Sequence, residues 1–224
     1  MEEMLYEVPF REWMDERPFI KWAETASPES RILYETVLKF SDLFEDMTFS
    51  YGTPTYEFIK CQSKSSGSDE WVDDAVQLPD SIKCFSYTYF TYHMADLNGY
   101  GGKFDMQDHS LTVDLSNYGN DPVLLHEMIH LHEFVINDLP MIYHDAVFYC
   151  LYKDLASKIP NLNKRIEAHG HILNSSQIAR LGGVHDILFL LKGFDLDLKM
   201  GYKLGTIFGY GMVDEWDGSP GAKT

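Results

Sequence analysis

The chain has few cysteines and no long apolar segment. Its three cysteines are widely separated and form no Cys-x-x-Cys pair, which excludes a zinc ribbon or a dithiol redox motif. An odd number of unpaired thiols is typical of a reducing compartment. The apolar run 187–191 is too short to span a bilayer, and the N-terminus has no apolar signal region. We therefore expect a cytoplasmic protein that does not associate with a membrane.

Basic side chains are also scarce. Lysine and arginine together number 18 against 35 aspartates and glutamates, which gives a formal net charge of −17. Binding to nucleic acid depends on lysine and arginine to neutralise phosphates, so we expect no direct nucleic-acid contact. The apolar content of 45% is ample for a packed core. The charge favours a protein or peptide partner, in particular one with a basic surface.

One short motif carries chemical information. His126, Glu127 and His130 form His-Glu-x-x-His within the apolar, helix-compatible segment 123–130. On a helix, residues four apart lie one turn above each other, so both imidazoles can bind one metal ion. The glutamate beside the first histidine can then act as a general base toward water. The motif predicts a zinc site, with His126 and His130 as ligands and Glu127 as the catalytic residue.

A catalytic zinc ion needs a third protein ligand. After a helix stop at 137–140, a second amphipathic segment begins near Tyr143 and carries His144 close to its start. A helix that turns back after a short loop can bring His144 against the motif helix. We therefore predict His144 as the third ligand and treat Tyr143 as a candidate for hydrogen bonding in the transition state.

Other side chains compete for the third position. His132 lies about 200° around the helix from His130, so it is expected to face away from the metal. Glu133 is on the correct face, but it is better placed to hold a ligand imidazole than to bind metal. Asp145 is a further candidate for such a supporting role, and no glutamate occurs from 134 to 166. Three later histidines are candidates to stabilise an oxyanion: His169, His171 and His185.

The remaining pattern predicts an α+β fold. Ser27 and Pro28 are typical of a helix start, and apolar spacing predicts a core helix over 28–47. Strands are predicted at 55–60, 82–92, 102–106, 110–115 and 196–200, a loop at 61–81, and helices at 161–169 and 176–191. The order of helix, small antiparallel or mixed sheet and metal-binding helices indicates three parts. These are an N-terminal arm (1–26), a catalytic domain (27–158) and an α+β extension packed on it (159–224).

The motifs resemble those of a known family. His126 to His130, then Phe134 and Asn137, then His144 with Phe148 four residues later, look like the SprT-like metalloproteases. The Asp at 145 is closer to the His-Asp-x-x-Phe motif of the related WLM metalloproteases. The resemblance covers residues 28–158. It implies a zincin-like catalytic domain and a zinc metalloendopeptidase that hydrolyses peptide bonds in a protein, with zinc on His126, His130 and His144. Some relatives digest proteins crosslinked to DNA, but this chain shows no basic stripe.

Two other functions remain open. The chain could be a non-catalytic zinc-binding regulatory or interaction protein, although a purely structural site has no need of Glu127. It could also be a repressor-cleaving peptidase like the ImmA family, whose motif helix is followed by a glutamate ligand well downstream. Glu167 is the first glutamate after the gap and keeps this alternative open.

Overall fold

The fold is α+β, with helices packed around a small mixed sheet. The computed structural model describes residues 14–48, 59–64, 71–76, 85–138, 141–173 and 185–209. The helices are α1 (Arg17–Thr25), α2 (Pro28–Phe40), α3 (Glu45–Thr48), α4 (Asp121–Asn137), α5 (Met141–Lys158), α6 (Leu162–Leu173) and α7 (Ile187–Met200). The strands are β1 (Ile59–Lys64), β2 (Trp71–Val76), β3 (Thr91–Ala95), β4 (Gly102–Asp105) and β5 (Ser110–Asp114).

The predicted N-terminal core helix is confirmed, with one interruption. The Ser27 side chain accepts a hydrogen bond from the Ser30 amide at 3.2 Å, and Pro28 occupies the first turn. A tight 3-10 turn at Ser41–Phe44 then separates α2 from α3. Of the five apolar residues that the spacing predicts to be in the core, Phe40 is partly buried and the other four are buried: Leu33, Val37, Phe44 and Met47.

The mixed sheet has the strand order β3-β5-β4, with β3 parallel and β4 antiparallel to the central β5. All five residues of β5 are buried, so the strand does not alternate between a buried and an exposed face. Helix α4 packs against β4 and β5, and α2 packs against β3. The sheet therefore supports the helix that carries the His-Glu-x-x-His motif.

Three sequence predictions differ from the structure. The predicted loop 61–81 contains most of an antiparallel strand pair, β1 and β2. The predicted strand 82–92 is a 3-10 turn at Tyr87–Tyr89 before β3, because the Ser86 side chain accepts the Thr88 amide and favours a turn. The predicted strand at 196–200 is the last part of α7. The start of the strand predicted at 55–60 lies outside the described residues, as does most of the helix predicted at 176–191.

Helix α7 belongs to the central core. Residues 188–197 are all buried, and their apolar side chains join those of α2, α4, α5 and the mixed sheet in one cluster. Residues on both sides of the predicted boundary at 158 thus share this cluster. Among the described residues, no helix combines the length and the apolar character needed to cross a membrane.

Candidate metal centre

The motif lies on a buried helix, as predicted. Helix α4 begins at Asp121, with proline in its first turn, and it continues to Asn137. His126 is fully buried and Glu127 is 1% exposed. The ring centroids of His126 and His130 are 5.1 Å apart, which is the neighbouring position that residues four apart take on a helix.

A third imidazole completes the group, and it belongs to His185. The ligand nitrogens of His126, His130 and His185 all lie within 4.8 Å of one another. Nε2 of His126 is 2.9 Å from Nε2 of His185. Two nitrogens bound at 2.0–2.1 Å to one tetrahedral zinc ion are about 3.3 Å apart, so small shifts of these rings accommodate the ion. The residues present therefore fit a zinc site.

The start of α7 fixes His185. Asp186 is the N-cap of α7, and its Oδ1 accepts a hydrogen bond from the Phe189 amide at 3.0 Å. The ring centroid of Phe189 lies 4.7 Å from His126, 4.6 Å from His130 and 4.6 Å from His185. A single aromatic ring thus packs against all three imidazoles and keeps them close together.

The orientation of His126 is set by a backbone carbonyl. Nδ1 of His126 is 3.0 Å from the carbonyl oxygen of Ile207. A carbonyl oxygen can only accept, so Nδ1 must carry the proton and Nε2 keeps its lone pair. This lone pair is on the side of the ring that faces His185. Ligand histidines in metalloproteins are commonly held in this way.

The three imidazoles are neutral at physiological pH. Burial and, to a smaller extent, the neighbouring His185 lower the pKa of His126 to about 3. Burial lowers the pKa of His185 to about 4. Burial, His126 and His185 likewise lower the pKa of His130. Neutral imidazole is the form that binds a metal ion, so the charge state of the three rings suits metal binding.

Glu127 lies against β4 with very little space. A Cβ atom placed on Gly102 would be 2.6 Å from Cγ of Glu127, a distance that requires something to move. Only glycine at position 102 therefore allows the edge of the sheet to approach the glutamate this closely.

His144 lies elsewhere, so the structure differs from the sequence prediction of the third ligand. Among the described residues, the group that could hold a metal contains His185 and does not contain His144. Nε2 of His144 is 3.9 Å from Oδ2 of Asp186, and the side chain is 30% exposed. The reason is the packing of α5, which contacts α7 as well as α4 and places His144 beside the N-cap of α7.

Glu133 lies next to the group. Its Oε2 is 3.9 Å from Nδ1 of His130, so it contacts this ring as the sequence suggested. Burial and the adjacent Asp186 raise the pKa of Glu133 well above its usual value. Asp186 lies between Glu133 and His144, and its Oδ2 is 3.9 Å from Nε2 of His144. A buried carboxyl group, whose charged form is disfavoured by burial, thus lies beside the ring of His130.

His132 faces away from the group, as predicted, but it is buried and not on the surface. Its Nε2 is 3.0 Å from the hydroxyl of Tyr87, and its ring stacks on Phe44 at 4.5 Å. It therefore takes part in packing between α4, the 3-10 turn that follows α2, and the turn before β3. The side chains of Tyr143, Asp145, His169 and His171, also named from the sequence, lie outside the described residues.

Comparison with protein-family models, curated proteins and solved structures finds no match for this chain. The resemblance to SprT-like metalloproteases therefore stays a prediction based on the motif residues. Sequence reasoning considered His185 only for oxyanion stabilisation. The available signal was the His-Asp pair directly before an apolar helix, where Asp is a preferred N-cap. No sequence signal indicated the carbonyl of Ile207.

Proposed function

We propose that this protein is a zinc-dependent metallopeptidase with a zincin-like catalytic domain. The observation that carries the proposal is the convergence of three imidazoles, two of which lie on the buried helix that also carries Glu127. His126, His130 and His185 would hold the metal. This assignment replaces His144 by His185 and keeps the other predicted residues.

The side chains support hydrolysis of a peptide bond. A bound zinc ion supplies Lewis acidity that activates water and polarises a carbonyl group. Glu127 directly follows the first ligand, as the general base does in His-Glu-x-x-His peptidases. It would accept the proton of the attacking water and pass it to the departing amine. His126 is kept in the ligating tautomer by Ile207.

The proposed substrate is a protein or peptide. The net charge of −17 disfavours direct binding to nucleic acid and favours a substrate with basic side chains. The same charge would raise the rate of encounter with such a substrate at low salt.

The repressor-cleaving alternative depended on a downstream glutamate ligand. Glu167 is exposed on α6 and is not part of the metal-binding group. The regulatory alternative has no support of its own in the geometry, but it predicts a zinc protein without hydrolysis. A test of Glu127 in catalysis therefore distinguishes the peptidase from the regulatory protein.

The proposal is tested by metal analysis of the purified protein together with digestion of an unbiased proteome-derived peptide library. We expect about one zinc ion per chain and reproducible cleavage in the wild type. Glu127→Gln should retain the zinc ion and lose activity by roughly 10²–10⁴-fold. Zinc binding without cleavage by the wild type would favour the regulatory protein, and absence of zinc would contradict both.

A matched control is available on the same helix. Glu133 is also a buried carboxyl next to the group, but it contacts His130 and is not in the position of the general base. Glu133→Gln keeps the size of the side chain, so its activity loss should be smaller than that of Glu127→Gln and should follow any loss of zinc. Equal losses in the two variants would show that the assay responds to general disturbance of α4.

A further inference from the structure

A buried carboxylate stabilises the loop that contacts His126. We call residues 201–209, which follow α7, the closing loop. Asp197 is fully buried on α7, and its two oxygens accept the amides of Gly205 at 2.6 Å and Ile207 at 3.0 Å. The loop is also tied to the helix by the Tyr202 amide, which donates to the Asp197 carbonyl at 2.7 Å.

The helix and the loop need a sharp reversal between them. Gly201 ends α7 with a φ of +72°, a conformation that glycine adopts without strain. The chain then returns along the helix, and Phe208 packs on Phe189 with ring centroids 5.9 Å apart. The ring of Phe208 is also 5.6 Å from that of His185. The closing loop thus covers the side of the site formed by α7.

We propose that Asp197 is a positioning residue for the metal centre: it holds the closing loop so that the carbonyl of Ile207 fixes the tautomer and orientation of His126. Ile207 makes both contacts: its amide donates to Asp197, and its carbonyl oxygen accepts from His126. This inference rests on the proposed zinc site. It concerns a residue that is 71 positions from His126 and touches no ligand side chain.

The cost of burying Asp197 supports a specific role. Burial raises the pKa of Asp197 to about 7, against the lowering effect of the amides of Ile207, Gly205 and Thr206. Burying a carboxyl group costs free energy, and the raised pKa indicates that the hydrogen bonds from the loop amides offset only part of this cost for the charged form. The carboxyl group accepts two hydrogen bonds from the loop backbone, which an apolar residue at position 197 could not do.

The test compares Asp197→Ala and Asp197→Asn with Asp195→Ala in the full chain. Asp195 is a matched control because it is buried on the same helix but pairs with Lys192 and Lys199. Zinc affinity is measured by competition with a chelator. The tautomer of His126 is read from the side-chain ¹H–¹⁵N correlation spectrum of the metal-free protein.

We expect Asp197→Ala to weaken zinc binding about 10–100-fold, as loss of a group that supports a ligand does. The Nδ1–H signal of His126 should give way to an average of the two tautomers. Asp197→Asn keeps one acceptor oxygen and should be intermediate. Asp195→Ala should lower the free energy of unfolding without changing zinc affinity or the His126 signal.

Unchanged zinc affinity and an unchanged His126 tautomer in the Asp197 variants would overturn the inference. An equal loss in Asp195→Ala would also overturn it, because the effect would then follow general destabilisation of α7. If the alanine variant does not fold, the asparagine variant decides. If the wild type binds no zinc, the proposed function fails, while the tautomer of His126 in the metal-free protein still tests the role of Asp197.

Discussion

Helix α7 contributes to two polar clusters, each with a buried centre, that differ in how their charges are balanced. The histidine cluster (His126, His130 and His185) lies at its N-terminus. The lysine cluster (Lys192, Asp195, Asp46 and Lys199) lies further along. Nζ of Lys192 is 2.7 Å from Oδ1 of Asp46 and 2.7 Å from Oδ2 of Asp195, and the lysine is fully buried.

In the lysine cluster, charged side chains of the protein balance one another as ion pairs. Burial tends to raise the pKa of Asp195, but Lys192 and Lys199 outweigh this effect and lower it. In the histidine cluster, burial lowers the pKa of all three rings, and neighbouring rings contribute to the lowering for His126 and His130, so the imidazoles are neutral. The lysine cluster is thus balanced within the fold, whereas the histidine cluster is a group of neutral rings that could hold a metal ion.

The largest expected effect is a difference in zinc content between a variant of His185 and a variant of His144. His185→Ala removes one of three ligands, so zinc content should fall from about one ion per chain to near zero. His144→Ala removes a neighbour of Asp186 and should leave the zinc content unchanged. Metal analysis of both variants by mass spectrometry measures this. The reverse pattern would restore His144 as the third ligand.

A substitution in the lysine cluster should lower the stability of the fold and leave metal binding unchanged. Lys192→Met removes the cation and leaves the buried Asp195 with only Lys199. Breaking a buried ion pair from one side costs about 3–5 kcal/mol, which should appear in the free energy of unfolding from urea titration. Zinc per folded chain should stay the same. Loss of zinc from the folded variant would mean that the two clusters are coupled.

A smaller effect is expected where the sheet meets Glu127. Gly102→Ala places a methyl group against Glu127, and such overpacking costs roughly 1–3 kcal/mol. Because the glutamate must move, peptidase activity should fall while zinc binding is retained. Thermal unfolding and cleavage assays measure the two effects. Gly193→Ala, where the added carbon would lie at an ordinary van der Waals distance of 3.7 Å from Phe208, controls for the loss of glycine.

The smallest effect is the pH dependence of the metal-free protein. The unfolded imidazole of His185 has a pKa of about 6.5 and the folded one a pKa of about 4. Between these values the unfolded chain binds the extra proton, so the free energy of unfolding falls as the pH is lowered. His185→Ala should reduce the slope by about 1.4 kcal/mol per pH unit.

Urea titrations from pH 6 to 5 give this difference in slope directly. The raised pKa values of Asp197 and Glu133 have the opposite effect, because the contribution of these groups to the free energy of unfolding falls as the pH rises. Both are present in the wild type and in the variant, so their contribution cancels in the comparison. Identical slopes in the two proteins would show that His185 is not buried in its neutral form.

The sequence predicted the part of the site that lies on one helix. His126, Glu127 and His130 are related by helical spacing alone, and the capping residue Ser27 and the strands β4 and β5 follow from local rules. His185 is 59 residues from His126, and Ile207 is 81, so their proximity depends on tertiary packing. Alternation of apolar residues at 196–200 suggested a strand, but in a helix buried on most sides such a pattern carries little information.

The most direct test is a crystal structure of the protein grown with zinc, with anomalous diffraction recorded at the zinc absorption edge. Our account predicts a single peak in the histidine cluster, 2.0–2.1 Å from one nitrogen each of His126, His130 and His185. A peak coordinated by His144 in place of His185, or no peak at the cluster in zinc-soaked crystals, would contradict it.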